Sequence, residues 1–362
     1  MKREGFVYLV GAGPGDPRLL TMRAYELLRS AEVVAHDELV TPAILALAPR
    51  DAEMLPVGRR HGSGTVAHRL HPAVLERARA GQVVVRLKCG DPLIFGRGGE
   101  EAEELAEAGI PYEIVPGISA ALGAAAYAGI PLTHRVHSSA VTFATGHDAD
   151  GIDRPRGETI VLYMSVRKLT HSLERLIARG LKPTTPAAYV ASATTPDQRV
   201  IVGTLADLPE KVAGADPSVP ALIIVGEVVA LRGRIAWFER RPLAGRRLLV
   251  ARTRPGRSAI AAELRALGAE VLEAPDVETG PPAPLPPAPL PPIDLVILPN
   301  SSATHALLSG ELGEELRHVL MVALGRRAEQ AARHHGVRWV VRATENSPKS
   351  LVASALSAVE VE

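Results

Sequence analysis

Short apolar runs alternate with segments of helical spacing along the chain. Residues 6–10 form an apolar run that ends in glycines and predict a buried strand. Residues 19–31 carry Leu, Ala and Leu at helical spacing. Residues 32–35 and 83–87 predict further buried strands, each followed by a polar loop. Residues 99–108 predict a Glu-rich amphipathic helix, and 112–115 another strand. Strands alternating with helices argue for an α/β domain with a largely parallel sheet.

Pro116-Gly117 breaks this pattern. A small-residue helix is expected over 118–128, then strands over 141–145 and 159–164. A helix follows over 171–179, stopped by Gly180. Strands over 187–190, 199–203 and 221–225 complete a second α/β lobe, and two lobes of this kind make a cleft. A further boundary falls near Arg240-Arg241-Pro242. Beyond it the pattern restarts, with strands over 246–251, 270–274, 295–298, 320–324 and 337–341. Helices are expected over 260–267, through His305 and through Ala332. Residues 280–292, with PPAPLPPAPLPP, predict an extended, semi-rigid spacer; a ligand for an SH3-type groove is the other reading of that composition. The expected domains are 1–116, 117–241 and 242–362, and no fixed-period repeat is visible.

Composition narrows the function classes. The chain has 362 residues, 46% hydrophobic and 22% charged, which suits a globular protein of two or three domains. A net charge of +1 gives no bulk attraction to nucleic acid or to an anionic membrane. Aromatics at 3% disfavour base-stacking platforms. The single cysteine, Cys89, excludes an intramolecular disulfide and a Cys-cluster metal site. The most apolar stretch, 117–132, is too short to span a bilayer. The start, MKREGFVYLVGAG, reads as a first strand and not as a signal peptide. The expected class is a cytoplasmic enzyme.

Several segments can carry chemistry. Gly11-Ala12-Gly13-Pro14-Gly15-Asp16-Pro17 follows a strand but puts Asp16 where a dinucleotide fold needs its third glycine. Asp16 would also oppose a pyrophosphate, so a tight strand-to-helix turn capped by Asp16 stands beside the ligand-binding reading. Residues 86–101, RLKCGDPLIFGRGGEE, place glycines at a strand exit, where a ligand can approach backbone and Asp91 can accept from its amine or hydroxyl. The segments VPGISAA (115–121) and GIPLTHR (129–135) offer free N–H groups at a helix start and a His134-Arg135 pair for anions, or else a solvated surface pair.

Together, VGAGPGDP, HDELV, VGRR, RLKCGDPLIFGRGGEE, VPGISAA, GIPLTHR, TGH, Tyr163-Met164 and PALIIVGEVVAL resemble the tetrapyrrole methylases, and among them the uroporphyrinogen-III C-methyltransferases, from Val7 to about Trp237. The resemblance implies a two-lobe fold with S-adenosylmethionine in the interlobe cleft, S-adenosylhomocysteine as product, a homodimer, and no metal. It implies two methyl transfers to pyrrole carbons of uroporphyrinogen III to give precorrin-2, which leads to sirohaem or cobalamin. Carried over by position, Pro14, Cys89, Gly90, Asp91, Ile94, Ser119, Ala120, Met164 and Ala193 would line the cofactor. Asp37 matches the family's proton acceptor, and Arg59 falls where its proposed proton-donor lysine usually stands. Arg60, Arg97, His134 and Arg135 are candidates for the substrate's rim carboxylates, since guanidinium pairs bidentately with carboxylate.

Three positions depart from the family pattern. Arg59 stays protonated, so it fits an electrostatic role and not proton donation. Cys89 replaces a glycine and would be strained if that position needed positive φ. Ala193 stands where some relatives have glycine. A nicotinamide dehydrogenase and a tetrapyrrole-binding or regulatory protein are the rival readings. Residues 245–356, through GRRLLVARTRP, LRALGAEVLEAP, DLVILPNSSATHALL, VALGRRAEQAARHHG and SLVASAL, resemble one lobe of uroporphyrinogen-III synthase. That enzyme works between two lobes, so this one is not expected to be a competent synthase alone.

Overall fold

In the computed structural model, the described residues are 5–49, 51–58, 70–146, 158–252, 258–274, 292–310 and 312–360. The chain divides into two compact units, Met1–Trp237 and Phe238–Glu362.

The first unit contains two sheets. β1 (Phe6–Gly11), β2 (Val33–His36), β3 (Glu53–Pro56), β4 (Val83–Lys88) and β5 (Tyr112–Val115) form a five-stranded sheet in the order β3-β2-β4-β1-β5. Every pairing in it is parallel, so the strands' carboxyl ends share one edge. Alternate residues face opposite sides. Val10, Val34, Val85 and Leu87 pack with Ala24 and Leu28 of the helix Met22–Arg29. Val7, Leu9, Val33, Ala35 and Val84 pack with Val74 and Leu105, from the helices Pro72–Arg79 and Gly98–Glu107. Full burial of each such valine or leucine side chain contributes about 1.5–3 kcal/mol. The expected helix over 19–31 begins later, because Asp16 caps a 3-10 turn over Pro17–Leu19 and Thr21 then caps the helix proper, accepting from Ala24 N at 3.1 Å.

β6 (Val141–Thr145), β7 (Thr159–Tyr163), β8 (Pro186–Ala191), β9 (Arg199–Thr204) and β10 (Ala221–Val225) form the second sheet, in the order β6-β7-β10-β8-β9. Only β6 and β7 run parallel; the other pairings are antiparallel. The Ala- and Gly-rich helix Ala120–Ala128 lies against one face, packing with Val161, Val190 and Ile224. Leu173 and Leu176 of the helix Leu169–Ala178 cover the other face.

The second unit is a doubly wound α/β fold. β11 (Arg247–Ala251), β12 (Glu270–Ala274), β13 (Leu295–Leu298), β14 (Leu320–Ala323) and β15 (Val340–Arg342) form an all-parallel sheet in the order β12-β11-β13-β14-β15. Leu264 and Leu351, from the helices Ala259–Ala266 and Pro348–Glu360, pack on one face. Leu307 and Ala328, from Ser301–Ser309 and Arg326–His334, pack on the other. The proline-rich segment, apart from Pro292, lies outside the described residues. No described helix is long and apolar enough to cross a membrane.

Candidate active site

The exits of neighbouring strands build the site. β1 lies between β4 and β5, so the loops that follow these strands are adjacent. Gly13 and Gly90 exchange backbone hydrogen bonds, with N···O distances of 3.1 and 2.8 Å. Asp91 Oδ1 accepts from Leu93 N at 2.8 Å, and its Oδ2 accepts from Gly117 N at 3.0 Å. One carboxylate thereby shapes its own turn and fixes the loop after β5. A Cβ on Gly117 would stand 2.3 Å from the Gly90 carbonyl oxygen, so only glycine fits this approach. Gly90 takes φ 72°, and Cys89 stays out of the left-handed region, which removes the strain considered for that cysteine. Burial pushes the Cys89 thiol up to about 11.

Loops of the second sheet meet this group. Ser119 Oγ lies 2.6 Å from Tyr163 Oη, which also accepts from Ala121 N at 3.1 Å. Burial raises the Tyr163 phenol above its ordinary range. Asp16 N donates to Thr194 Oγ1 at 3.1 Å, and Tyr127 Oη donates to Asp16 Oδ2 at 2.9 Å. Burial by itself would raise the Asp16 carboxyl; the hydrogen bonds and charge of Arg18, with Tyr127, outweigh it and hold the group below 3.8. Asp16 therefore works inside the structure, as a cap and a tie.

The non-glycine residues at positive φ, among those described, are Phe95, Arg97, Met164, Ser192 and Thr194. All belong to these loops. Strain of this kind costs about 1–3 kcal/mol per residue and persists where the surroundings over-determine it, commonly at functional sites. Pro14, Cys89, Gly90, Asp91, Ser119, Ala120, Met164 and Ala193 all lie on or beside the assembled loops. Ile94 and Met164 are 37% and 41% exposed, so apolar surface is available beside the backbone edge. Among the described residues, no group of three His, Cys, Asp or Glu side chains is arranged to hold a metal ion.

Asp37 directly follows β2 and joins a charged cluster that no sequence motif marks. Arg86 Nη2 is 2.6 Å from Asp37 Oδ1 and 3.0 Å from Glu101 Oε1. Lys88 Nζ is 2.7 Å from the same Glu101 oxygen and 4.0 Å from Asp37 Oδ2. Burial and the neighbouring Arg86 push the Lys88 ammonium below its ordinary range, against the opposing pull of Asp37 and Glu101. The available signal was Arg86 and Lys88 at strand spacing, interrupting the apolar run VVVRLK.

Arg97 is the left-handed residue just before the helix Gly98–Glu107. His134 and Arg135 sit on a turn closed by His134 N donating to Ser138 O at 2.8 Å. Arg59 and Arg60 lie outside the described residues.

Glycine loops at the exits of parallel strands are thus joined to loops of a mixed sheet, with left-handed backbone on both sides. The family model for tetrapyrrole (corrin/porphyrin) methylases matches residues 7–209, and the chain belongs to that family. The siroheme synthase of Pseudomonas paraeruginosa is 54% identical over 243 residues, covering 65% of this chain and 52% of that protein. The siroheme synthase of Pseudomonas fluorescens is 53% identical over 247 residues, covering 66% of this chain and 53% of the relative. The chain thus spans about half the length of the curated relatives it matches. The crystal structure of uroporphyrin-III C-methyltransferase from Thermus thermophilus superposes with a TM-score of 0.55 at 43% identity, covering 65% of this chain and 97% of that one. A complex of that enzyme with S-adenosylhomocysteine gives 0.53 at 41% identity, covering 62% and 93%.

Proposed function

We propose that the first unit transfers methyl groups from S-adenosylmethionine to two pyrrole carbons of uroporphyrinogen III, giving precorrin-2 for sirohaem or cobalamin synthesis. The observation that carries this reading is the joining of the Gly13–Gly90 and Asp91–Gly117 loop contacts to Tyr163 and Thr194 across the two sheets. It involves the segments that the family resemblance assigns to the cofactor.

The residues present fit the cofactor. A glycine-lined backbone edge, the Asp91 carboxylate, the Ser119 hydroxyl and the partly exposed Ile94 and Met164 match a ligand with both polar and apolar parts. When bound, S-adenosylmethionine supplies an electrophilic methyl group on a sulfonium. Pro14, Cys89, Gly90, Asp91, Ile94, Ser119, Ala120, Met164 and Ala193 would hold it, largely through backbone, and orient it toward the pyrrole carbon. Attack by that carbon leaves positive charge on the macrocycle. Asp37, 26% exposed at the sheet's carboxyl edge, balances this charge and accepts the proton the macrocycle then loses. Arg59 acts electrostatically, and Arg60, Arg97, His134 and Arg135 meet the substrate's carboxylates.

The family resemblance also carries a homodimer and a cytoplasmic location as proposals. The second unit is proposed to be a single synthase-like lobe without synthase activity of its own. Cyclisation of hydroxymethylbilane to the type III isomer by the second unit would overturn that part. The first test of the main reading is anaerobic incubation of the full chain with S-adenosylmethionine and uroporphyrinogen III. The expected result is two S-adenosylhomocysteine released per macrocycle with the absorption of a dimethylated product; no transfer would refute it.

A further inference from the structure

The cluster around Asp37 is a closed ring in which charge alternates. Asp37 Oδ1 meets Arg86 at 2.6 Å, Arg86 meets Glu101 Oε1 at 3.0 Å, Glu101 meets Lys88 at 2.7 Å, and Lys88 returns to Asp37 Oδ2 at 4.0 Å. The side chains of Arg86, Lys88 and Glu101 are 6%, 3% and 11% exposed, against 26% for Asp37. Among the described residues, Arg86 Nε and Glu101 Oε2 are buried without a hydrogen-bond partner.

Such a ring is a poor way to stabilise a fold. Replacing buried ion pairs by apolar side chains of similar volume is often neutral or stabilising. The same face of the same strands is covered by Val33, Ala35 and Val84, so apolar residues suffice there further back. The charges begin only at the strands' carboxyl ends, where open parallel sheets place their ligands. The ring supplies direction. Arg86 grips one oxygen of Asp37, Lys88 faces the other, and Asp37 N donates to Leu87 O at 3.1 Å, which fixes the backbone beneath. Glu101 Oε1 holds both cations in place, and Asp37 is the most exposed member.

We infer that Arg86, Lys88 and Glu101 are positioning residues that hold the Asp37 carboxylate in one orientation toward the substrate, with Glu101 as the shared anchor. This rests on the reading of Asp37 as the group that accepts the macrocycle's proton. Glu101→Gln, nearly isosteric, loosens both cations. Its kcat for methyl transfer by the full chain should fall about tenfold or more, with both KM values within about twofold of wild type. Asp37→Asn should fall further, and the double variant should be no slower than Asp37→Asn alone, because the ring acts through Asp37. Lys88→Arg should keep most of the rate that Lys88→Met loses. Independently of turnover, the 13C carboxyl signal of Asp37, assigned by its disappearance in Asp37→Asn, should move in Glu101→Gln.

Additive losses in the double variant, or an unmoved Asp37 signal, would overturn the inference while leaving the methyltransferase reading intact. Absence of transfer by the wild-type chain would overturn both. If Glu101→Gln does not fold, Lys88→Met/Glu101→Gln removes one charge of each sign and must show the same loss of kcat with KM kept; a wild-type rate from it would overturn the inference.

Discussion

Ser119 Oγ and Tyr163 Oη stand 2.6 Å apart, joining the loop after β5 to the last residue of β7. The same phenol oxygen accepts from Ala121 N at 3.1 Å, in the first turn of the helix Ala120–Ala128. Tyr163→Phe therefore strips two buried groups of a partner. The expected loss is about 1–3 kcal/mol, seen as a lower denaturant midpoint at unchanged slope. S-adenosylhomocysteine affinity, measured by calorimetry, should fall as well, since this bond sets one loop of the proposed cofactor site.

Gly117→Ala should be more damaging than its size suggests. The added methyl would meet backbone at 2.3 Å, and the Gly90 carbonyl it strikes is held by its own neighbours. Overpacking of this kind typically costs about 1–3 kcal/mol. The loop after β5 must move, so the Gly117 N to Asp91 bond should break and S-adenosylhomocysteine binding should weaken by about tenfold or more. A variant that binds like wild type would show that this approach is not needed for the site.

Cys89, the only cysteine, is half-buried and reports on its surroundings through its thiol. With the thiol pushed up to about 11, only about one molecule in a thousand carries the thiolate at pH 8. Alkylation of the native chain by iodoacetamide at pH 8 should be slower than that of the chain in denaturant by about a hundredfold or more, given the ordinary value of 9.0. The same shift adds stability that is complete below 9.0 and is lost as pH rises toward 11. Rapid native labelling would contradict the raised thiol value.

Asp16 gives the opposite sign. Its folded-state carboxyl lies below 3.8, so the stability it contributes is present above that value and disappears as pH falls through the folded-state value. Asp16→Asn should lower Tm at pH 7, where Arg18 and Tyr127 lose their charged partner. The gap between variant and wild type should narrow as pH falls below 3.8. A gap of constant size at all pH values would mean that the Asp16 charge contributes nothing.

Much of the fold was legible because buried strands are short apolar runs between glycines. β5, β6, β10, β12 and β13 fall on the residues expected from sequence. β3 was missed because EMLP is a short edge segment with a proline and no apolar run. The helices Pro72–Arg79 and Pro348–Glu360 were also passed over, and β15 starts at Val340 instead of 337. Strand direction in the second sheet was hidden, since an apolar run reads the same in both senses. At the site, the ordered glycine motifs pointed to the right loops. The charged ring is not legible, because Arg86, Lys88, Asp37 and Glu101 come from three separate elements and become neighbours only through the pairing of β2 with β4 and the packing of the helix Gly98–Glu107 on the sheet.

Each of the two units has its own cores: among the described residues, the apolar clusters lie within Met1–Trp237 or within Phe238–Glu362. The peptide bond at Trp237-Phe238 has two consequences of its own. It fixes the stoichiometry of the two units at one to one at any level of expression. It also keeps each at an effective concentration on the order of millimolar around the other, a level that separate chains in a dilute mixture would not reach.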